Sequence, residues 1–478
     1  EIGEWSEILE WPVTAIHMTL MHNGKVLFWR NARPAYVFDP ITEVITETSI
    51  PGPESPEFNL PTNESNFLFC SAHVTLADGR VLPGGGAVRD PIGLVDAYIY
   101  DPDTEAWSST GFMEFPRYSP TLTTLLDGRV LAHSGSIESG VKAIYPEVYD
   151  PEANQWNTLY DAPYEDAMYP RLSVLSDGRV FDAGPGRISR YLDVYAEEWV
   201  DGPITTFDRW KELATHQKSA YTGTMYRTDK IMHLGGYDSS DPTINRLNRA
   251  EVIDLSQPDP QWQEIFGMEF ARRRANSVIM PDGNVFIIGG SVSGQSEHEC
   301  AIHAPEIWNP ATEQFTTMAS HERPRIYQST AFLLRDGRIL SASGENLDVR
   351  EETAEIFSPP YLFNGARPSI TSAPASVNFE EDFVIETPDA AQIDSVVLIR
   401  PGSTTHQIDR DHRYIPLSYT LVGNEIHATA PPNSLGPPGY YMLFILQNGI
   451  PAVAPMVQLT FDPNMDTDAD GMPDNFED

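Results

Sequence analysis

A turn between two apolar strands recurs seven times in this chain, and it restricts the fold more than any other feature. The copies are HNGKVLFW around Gly24, ADGRVLPGGG around Gly79, LDGRVLAHSG around Gly128, SDGRVFDAG around Gly178, RTDKIMHLGG at Asp229 and Lys230, PDGNVFIIGG around Gly283 and RDGRILSASG around Gly337. A polar residue followed by glycine between alternating apolar runs is the signature of a β-hairpin. Most hairpins lead into a further strand and turn, as in AYIYDPDTEAW, PEVYDPEANQW, AEVIDLSQPDPQW and PEIWNPATEQF. Asp-Pro and Asn-Pro set these turns, while the aromatic and β-branched positions suit half-buried strands.

Units of about fifty residues built this way have the period of a kelch-type β-propeller, and seven units predict seven blades. The last unit, AEIFSPPYLF, stops short, whereas the chain opens with the unmatched fragment EWSEILEWPV. The segment around Trp5 is therefore expected to supply the outer strand of the last blade, closing the ring and removing an exposed edge. From about Gly365 the turn pattern ends and shorter alternating strands follow, among them SVVLIRPG, EIHATAPP and GYYMLFILQNG. Their spacing predicts an immunoglobulin-like sandwich. The reading is all-β, with a propeller over 1–364, a sandwich over 365–462 and an acidic tail over 463–478.

A net charge of -38 argues against nucleic acid or an anionic membrane as partner. No run of 18 apolar residues is present, so no membrane span is expected. The chain opens at Glu1 rather than Met, which implies a processed form, and a secreted or extracytoplasmic location is expected.

Phase within the repeat singles out three residues. Cys70 lies nine residues before its turn glycine, and Tyr118 and Tyr327 lie ten before theirs. They should start the innermost strands of different blades and converge near the axis. Tyr169 and Tyr221 occur at similar phase and receive no catalytic role, since aromatic residues commonly pack at blade starts. Cys300 falls in a loop of the sixth unit, so ring geometry should keep it from forming a disulfide with Cys70, which requires Cα atoms within about 7 Å.

The segments NFLFCSAHVTLADGRVL, FPRYSPTLTTLLDGRVL, RPRIYQSTAFLLRDGRIL, GSTTHQIDRDHRYIPL and PPGYYMLFILQNGIPAVAP together resemble the copper radical oxidases, the galactose oxidase and glyoxal oxidase group. The likeness runs over nearly the whole chain apart from the tail. It implies a thioether between Cys70 and Tyr118, with the modified tyrosine binding copper and storing one oxidising equivalent. It implies Tyr327 as the axial tyrosine that takes the substrate proton, and His406 as a copper ligand delivered by the C-terminal domain. The family's second histidine is replaced here by Gln328, whose amide is a weaker donor to Cu(II). Three outcomes stay open: copper with Gln328 or water as a weak ligand, replacement by His73 or His412, or a relic site. Strand alternation puts His73 on the face opposite Cys70, and structural hydrogen bonding is the plainer role for either histidine. Ile137 stands where galactose oxidase has a stacking tryptophan, which leaves the substrate open.

The resemblance thus implies an enzyme that oxidises a primary alcohol, an aldehyde or a carbohydrate with O2 and releases H2O2. The alternative is a non-catalytic propeller that binds glycan or protein and has lost copper. Separately, Asp466, Asp468, Asp470, Asp474 and Glu477 follow the spacing D-x-D-x-D-G-x-x-D-x-x-E, which resembles a thrombospondin type 3 calcium repeat. A solvated acidic tail is the bland alternative, and the native chain is expected to continue past Asp478.

Overall fold

The computed structural model describes residues 1–31, 34–50, 67–184, 186–206, 221–236, 248–292, 298–345, 349–409 and 411–461. The acidic segment carrying Asp466, Asp468, Asp470, Asp474 and Glu477 lies outside them.

Hairpin chemistry sets the first level of order. At Gly79, Gly128, Gly178, Gly283 and Gly337 φ lies between +81° and +89°, a region that side chains disfavour. The aspartate before each glycine accepts the amide of the residue after it, as Asp78 does from Arg80 at 3.0 Å and Asp127 from Arg129 at 2.9 Å. The turns join inner strands that are largely buried, and wholly so in Ala72–Thr75 with Val81–Gly84 and in Thr121–Thr124 with Val130–His133. The outermost strands, such as Ala106–Ser109 and Gln155–Thr158, alternate exposed and half-buried residues. Burial therefore falls from the inside of each sheet to its rim.

Among the described residues before 360, the strands form seven antiparallel sheets on this plan. Their innermost strands pack side by side, with His17–Leu20 flanked by Ala72–Thr75 on one side and Thr330–Leu333 on the other. Closure comes from the N-terminal segment. Glu4–Trp5 and Leu9–Glu10 both pair antiparallel with Thr353–Ser358 and so form the outer edge of the last sheet, as the unmatched N-terminal fragment led us to expect. Trp5 locks this seam, its indole donating to Ala319 O at 2.7 Å and its ring packing on Phe357.

The following unit is a two-sheet sandwich. One sheet runs Ser376–Asn378, Met456–Thr460, Gly439–Gln447, Ser395–Ile399 and Tyr414–Pro416; the other runs Asp382–Glu386, Glu425–Thr429 and Tyr419–Val422. Val377, Ile385, Leu398, Ile426, Leu443 and Leu459 fill the space between them. The two units interlock through one loop. Strand Ser403–Thr405 pairs antiparallel with His17–Thr19, with Thr405 opposite His17, and so adds itself to the inner edge of the first sheet. Arg400 donates to Thr75 O at 2.7 Å, the Asp411 carboxylate accepts the Thr75 amide at 2.9 Å, and Arg413 donates to Val174 O at 2.6 Å. The loop that follows Thr405 is thereby pinned among the innermost strands of several sheets.

Candidate metal centre

One backbone conformation, repeated sheet after sheet, builds the site. Cys70, Ser119, Tyr169, Arg274 and Gln328 each stand nine residues before a turn glycine, and each has positive φ, from 53° to 63°. This left-handed bend costs of order 1 kcal/mol or more for a non-glycine residue and persists only where its surroundings hold it. Here neighbouring bends bond to one another: Ser119 N donates to Cys70 O at 2.9 Å, and Tyr169 N to Ser119 O at 3.0 Å. The bend turns the chain at the entry to the innermost strands of these five sheets.

The repeat-phase expectation needs a correction at this point. Tyr118 and Tyr327 share a phase with each other but not with Cys70, whose structural equivalents are Ser119, Tyr169, Arg274 and Gln328. Cys70 and Tyr118 still meet, because they come from adjacent sheets and are offset by one residue. Cys70 is close enough to the Tyr118 hydroxyl to reinforce burial in pushing its pKa up. Both are buried, in a cluster with Ala87, Met168, Tyr169 and Ile408.

His406 enters this cluster from the sandwich loop, itself at φ 51°. Thr405 Oγ1 lies 2.7 Å from its Nδ1. Its Nε2 lies 3.3 Å from Cys70 Sγ and 3.2 Å from Gln328 Nε2. One tautomer accounts for all three contacts: Nδ1–H donates to Thr405, and the Nε2 lone pair accepts from the thiol and the amide. The lone pair of a buried imidazole thus faces a thiol, an amide and, around them, phenols. The Tyr327 ring stands 5.6 Å from the His406 ring, and Tyr327 is only half-buried. Burial first, then the proximity of Cys70, Asp90 and Tyr327, pushes the Tyr118 phenol up, so it stays neutral unless a cation is close.

These residues fit a Cu(II) ion: an imidazole with its lone pair turned inward, two phenols and an amide that can present its oxygen by a flip form a nitrogen and oxygen set. Among the described residues no three His, Cys, Asp or Glu side chains gather into a metal-holding group, so the phenols and the amide are essential to any such set.

The alternative histidines are engaged elsewhere. His73 Nε2 faces Met18 O at 3.3 Å and its ring meets Trp29 edge-on. His412 pairs with the Asp409 carboxylate at 3.1 Å. Cys70 and Cys300 are not joined in a disulfide. Ile137 follows Ser136, whose backbone exchanges two hydrogen bonds with Tyr118, and it is half-buried.

Two neighbours were not given a role from the sequence. Tyr169 packs against His406 with ring centres 4.5 Å apart and donates its hydroxyl to Ser71 O at 2.9 Å. Its position nine residues before Gly178, the phase of Cys70 and Gln328, was the available signal. His17 stacks in parallel on Trp29 at 4.9 Å and lies 5.9 Å from His406; cross-strand pairing with Thr405 puts it there, and sequence spacing carries no trace of that pairing.

Comparison with known proteins agrees with this geometry. The family description "Glyoxal oxidase N-terminus" matches residues 235–359, and "Galactose oxidase-like, Early set domain" matches residues 367–459. A fungal alcohol oxidase solved in complex with copper superposes with a TM-score of 0.81 at 25% identity, covering 96% of this chain and 100% of its own. The chain is similar to the copper radical oxidases in both of its units. Among its relatives, a galactose oxidase of Gibberella zeae is 28% identical over 81% of this chain and 53% of its own length. An aldehyde oxidase of Arabidopsis thaliana is 31% identical over 45% of this chain and 40% of its own. The chain spans about half the length or less of these two relatives. As in the copper-bound neighbour, the copper radical oxidase fold here is all-β, a propeller followed by a sandwich. No helix among the described residues is long and apolar enough to cross a membrane.

Proposed function

We propose that this chain oxidises a primary alcohol or hydrated aldehyde, carbohydrates included, with O2 as acceptor and H2O2 as product. Copper would be held by Tyr118, Tyr327, His406 and the weaker Gln328. When bound, it would supply one-electron redox capacity and Lewis acidity. The observation that carries the reading is the convergence of Cys70 Sγ and the Gln328 amide on one buried imidazole nitrogen, at 3.3 and 3.2 Å.

The residues divide the work. Thr405 holds the His406 ring through Nδ1, and the Tyr169 ring walls its side against water. Tyr327, half-buried rather than sealed in, would receive the proton of a substrate hydroxyl. Tyr118, buried beside Cys70, would form a carbon–sulfur bond to Sγ with loss of two hydrogens to O2. It then holds the oxidising equivalent that removes hydrogen from the substrate carbon. Ile137 leaves more room over this pair than an aromatic ring would, so the substrate need not be galactose. An acidic chain of this kind suits work outside the cytoplasm, and calcium bound by the tail is part of the same proposal.

Intact and peptide masses after aerobic copper loading test the reading. A Cys70–Tyr118 peptide lacking two hydrogens supports it. A second reading, a propeller that binds glycan or protein without catalysis, is favoured by Gln328 and Ile137; copper uptake without the crosslink, or no uptake, selects it.

A further inference from the structure

Cys70, Tyr169 and Gln328 share one bend and all reach His406. Arg274 is the same position in the sheet that begins at Asn276, with φ 58°. Its backbone is fixed by the paired hydrogen bonds between Arg273 and Ser291, at 2.9 and 3.1 Å. The bend sends Arg274 toward the axis, where its guanidinium carbon stands 4.1 Å from the centre of the Tyr327 ring. Both residues are half-buried, so neither is sealed inside the protein.

A second guanidinium stands near Cys70. Arg30 lies 5.4 Å from the centre of the Phe69 ring and is held by the Glu345 carboxylate through two bonds, at 2.6 and 2.8 Å. Glu345 in turn donates its amide to Tyr327 O at 2.7 Å and also meets Arg350 at 3.3 Å. The Glu345 carboxylate is thus matched by two arginines, and the Arg274 guanidinium stands beside the phenol. In a chain of net charge -38, small anions are repelled on average, so a guanidinium near the reacting groups is what could hold one there. A planar guanidinium also offers a fork of N–H donors that fits a carboxylate.

We propose that Arg274 is a specificity residue that selects substrates carrying a carboxylate, a short alcohol or aldehyde acid whose charged end lies one or two carbons from the reacting carbon. This rests on the oxidase reading for the reaction itself, but not for the binding. Arg274 would take the carboxylate while the hydroxyl end lies at Tyr327. Packing on the Tyr327 ring alone would make Arg274 structural, and that role predicts no preference for charge.

Two primary alcohols that differ only in charge, 3-hydroxypropanoate and 3-hydroxypropanamide, separate the roles. Calorimetry on the metal-free full chain at fixed ionic strength should show saturable binding of the acid and at least about tenfold weaker binding of the amide. Arg274→Asn, which suits positive φ, should remove the difference, and Arg274→Lys should retain part of it. Equal affinity of the wild type for the two alcohols overturns the proposal without any variant, as does a preference that survives Arg274→Asn in folded protein. After copper loading, the acid should also be the better substrate by kcat/KM, with the Cys70–Tyr118 crosslink intact in Arg274→Asn. If the crosslink fails to form, the oxidase reading is lost, while the calorimetric comparison still decides on Arg274.

Discussion

Thr405 Oγ1 lies 2.7 Å from Nδ1 of His406, and this contact leaves Nε2 as the nitrogen that faces Cys70 and Gln328. Removing the hydroxyl with the near-isosteric Thr405→Val leaves the ring free to change tautomer or rotate. Partners of this kind are worth about 10–100-fold in metal affinity. Copper affinity, measured by competition against a chelator of known strength, should fall within that range while the thermal midpoint changes little. An unchanged affinity would show that Thr405 does not orient the ligand.

The buried pair His133 and Asp166, 3.3 Å apart, gives opposing pH dependences. Burial above all, helped by Arg117, pushes His133 down to about 3 from an ordinary 6.5, and burial pushes Asp166 up to about 7 from 3.8. Between pH 3.8 and 6.5 the unfolded chain protonates His133 while the folded chain does not, so this group lowers stability as pH falls. In the same window the folded chain keeps Asp166 protonated while the unfolded chain ionises it, so that group lowers stability as pH rises. The two slopes cancel. Asp166→Asn should uncover the histidine slope, an added loss of up to about 1.4 kcal/mol per pH unit on acidification relative to wild type. His133→Phe should tilt the curve the other way. Urea midpoints at pH 4.5, 5.5 and 6.5 check both signs, and parallel curves for all three proteins would contradict the assignment.

Much of this molecule was legible because turn chemistry is local. The Asp-Gly pairs, the Asp-Pro turns and the unmatched fragment around Trp5 each report a few neighbouring residues, and the sheets and their closure follow. The site was legible only to within a residue. Nothing in the residue types states that the chain bends at Cys70, Tyr169, Arg274 and Gln328, so counting from the turn glycines grouped Cys70 with Tyr118 and passed over Tyr169. His17 was hidden for a different reason: it reaches His406 through a strand contributed by residues nearly four hundred positions later, and pairing at that distance leaves no periodicity to read.

Arg117 and Glu147 support the same region from beneath. Both are buried, with Nη2 and Oε1 2.7 Å apart, and Arg117 also donates to Ser134 O at 2.8 Å. Glu147 further accepts the amides of Glu114 and Phe115, at 2.6 and 3.2 Å. Arg117→Met would leave a buried carboxylate without its counter-charge, and the expected loss is about 3–5 kcal/mol by denaturant unfolding. Adding Glu147→Gln should recover part of it. Arg117 precedes Tyr118 directly, so the single variant should also lower the yield of the Cys70–Tyr118 crosslink.

Gln328 stands where the family resemblance implies a second histidine, and its geometry makes the consequence measurable. It is buried at φ 63°, a bend that histidine tolerates better than most residues, and its amide already stands 3.2 Å from the lone pair of His406. Gln328→His replaces a weak neutral donor by an imidazole without changing charge at neutral pH, and imidazole is the better partner for Cu(II). Copper affinity should rise by at least about tenfold, roughly 1.4 kcal/mol. The electron paramagnetic resonance spectrum should gain coupling to one more nitrogen, a change that tighter packing alone cannot give. If affinity and spectrum are both unchanged, Gln328 lies outside the coordination shell, and the copper rests on Tyr118, Tyr327 and His406 without it.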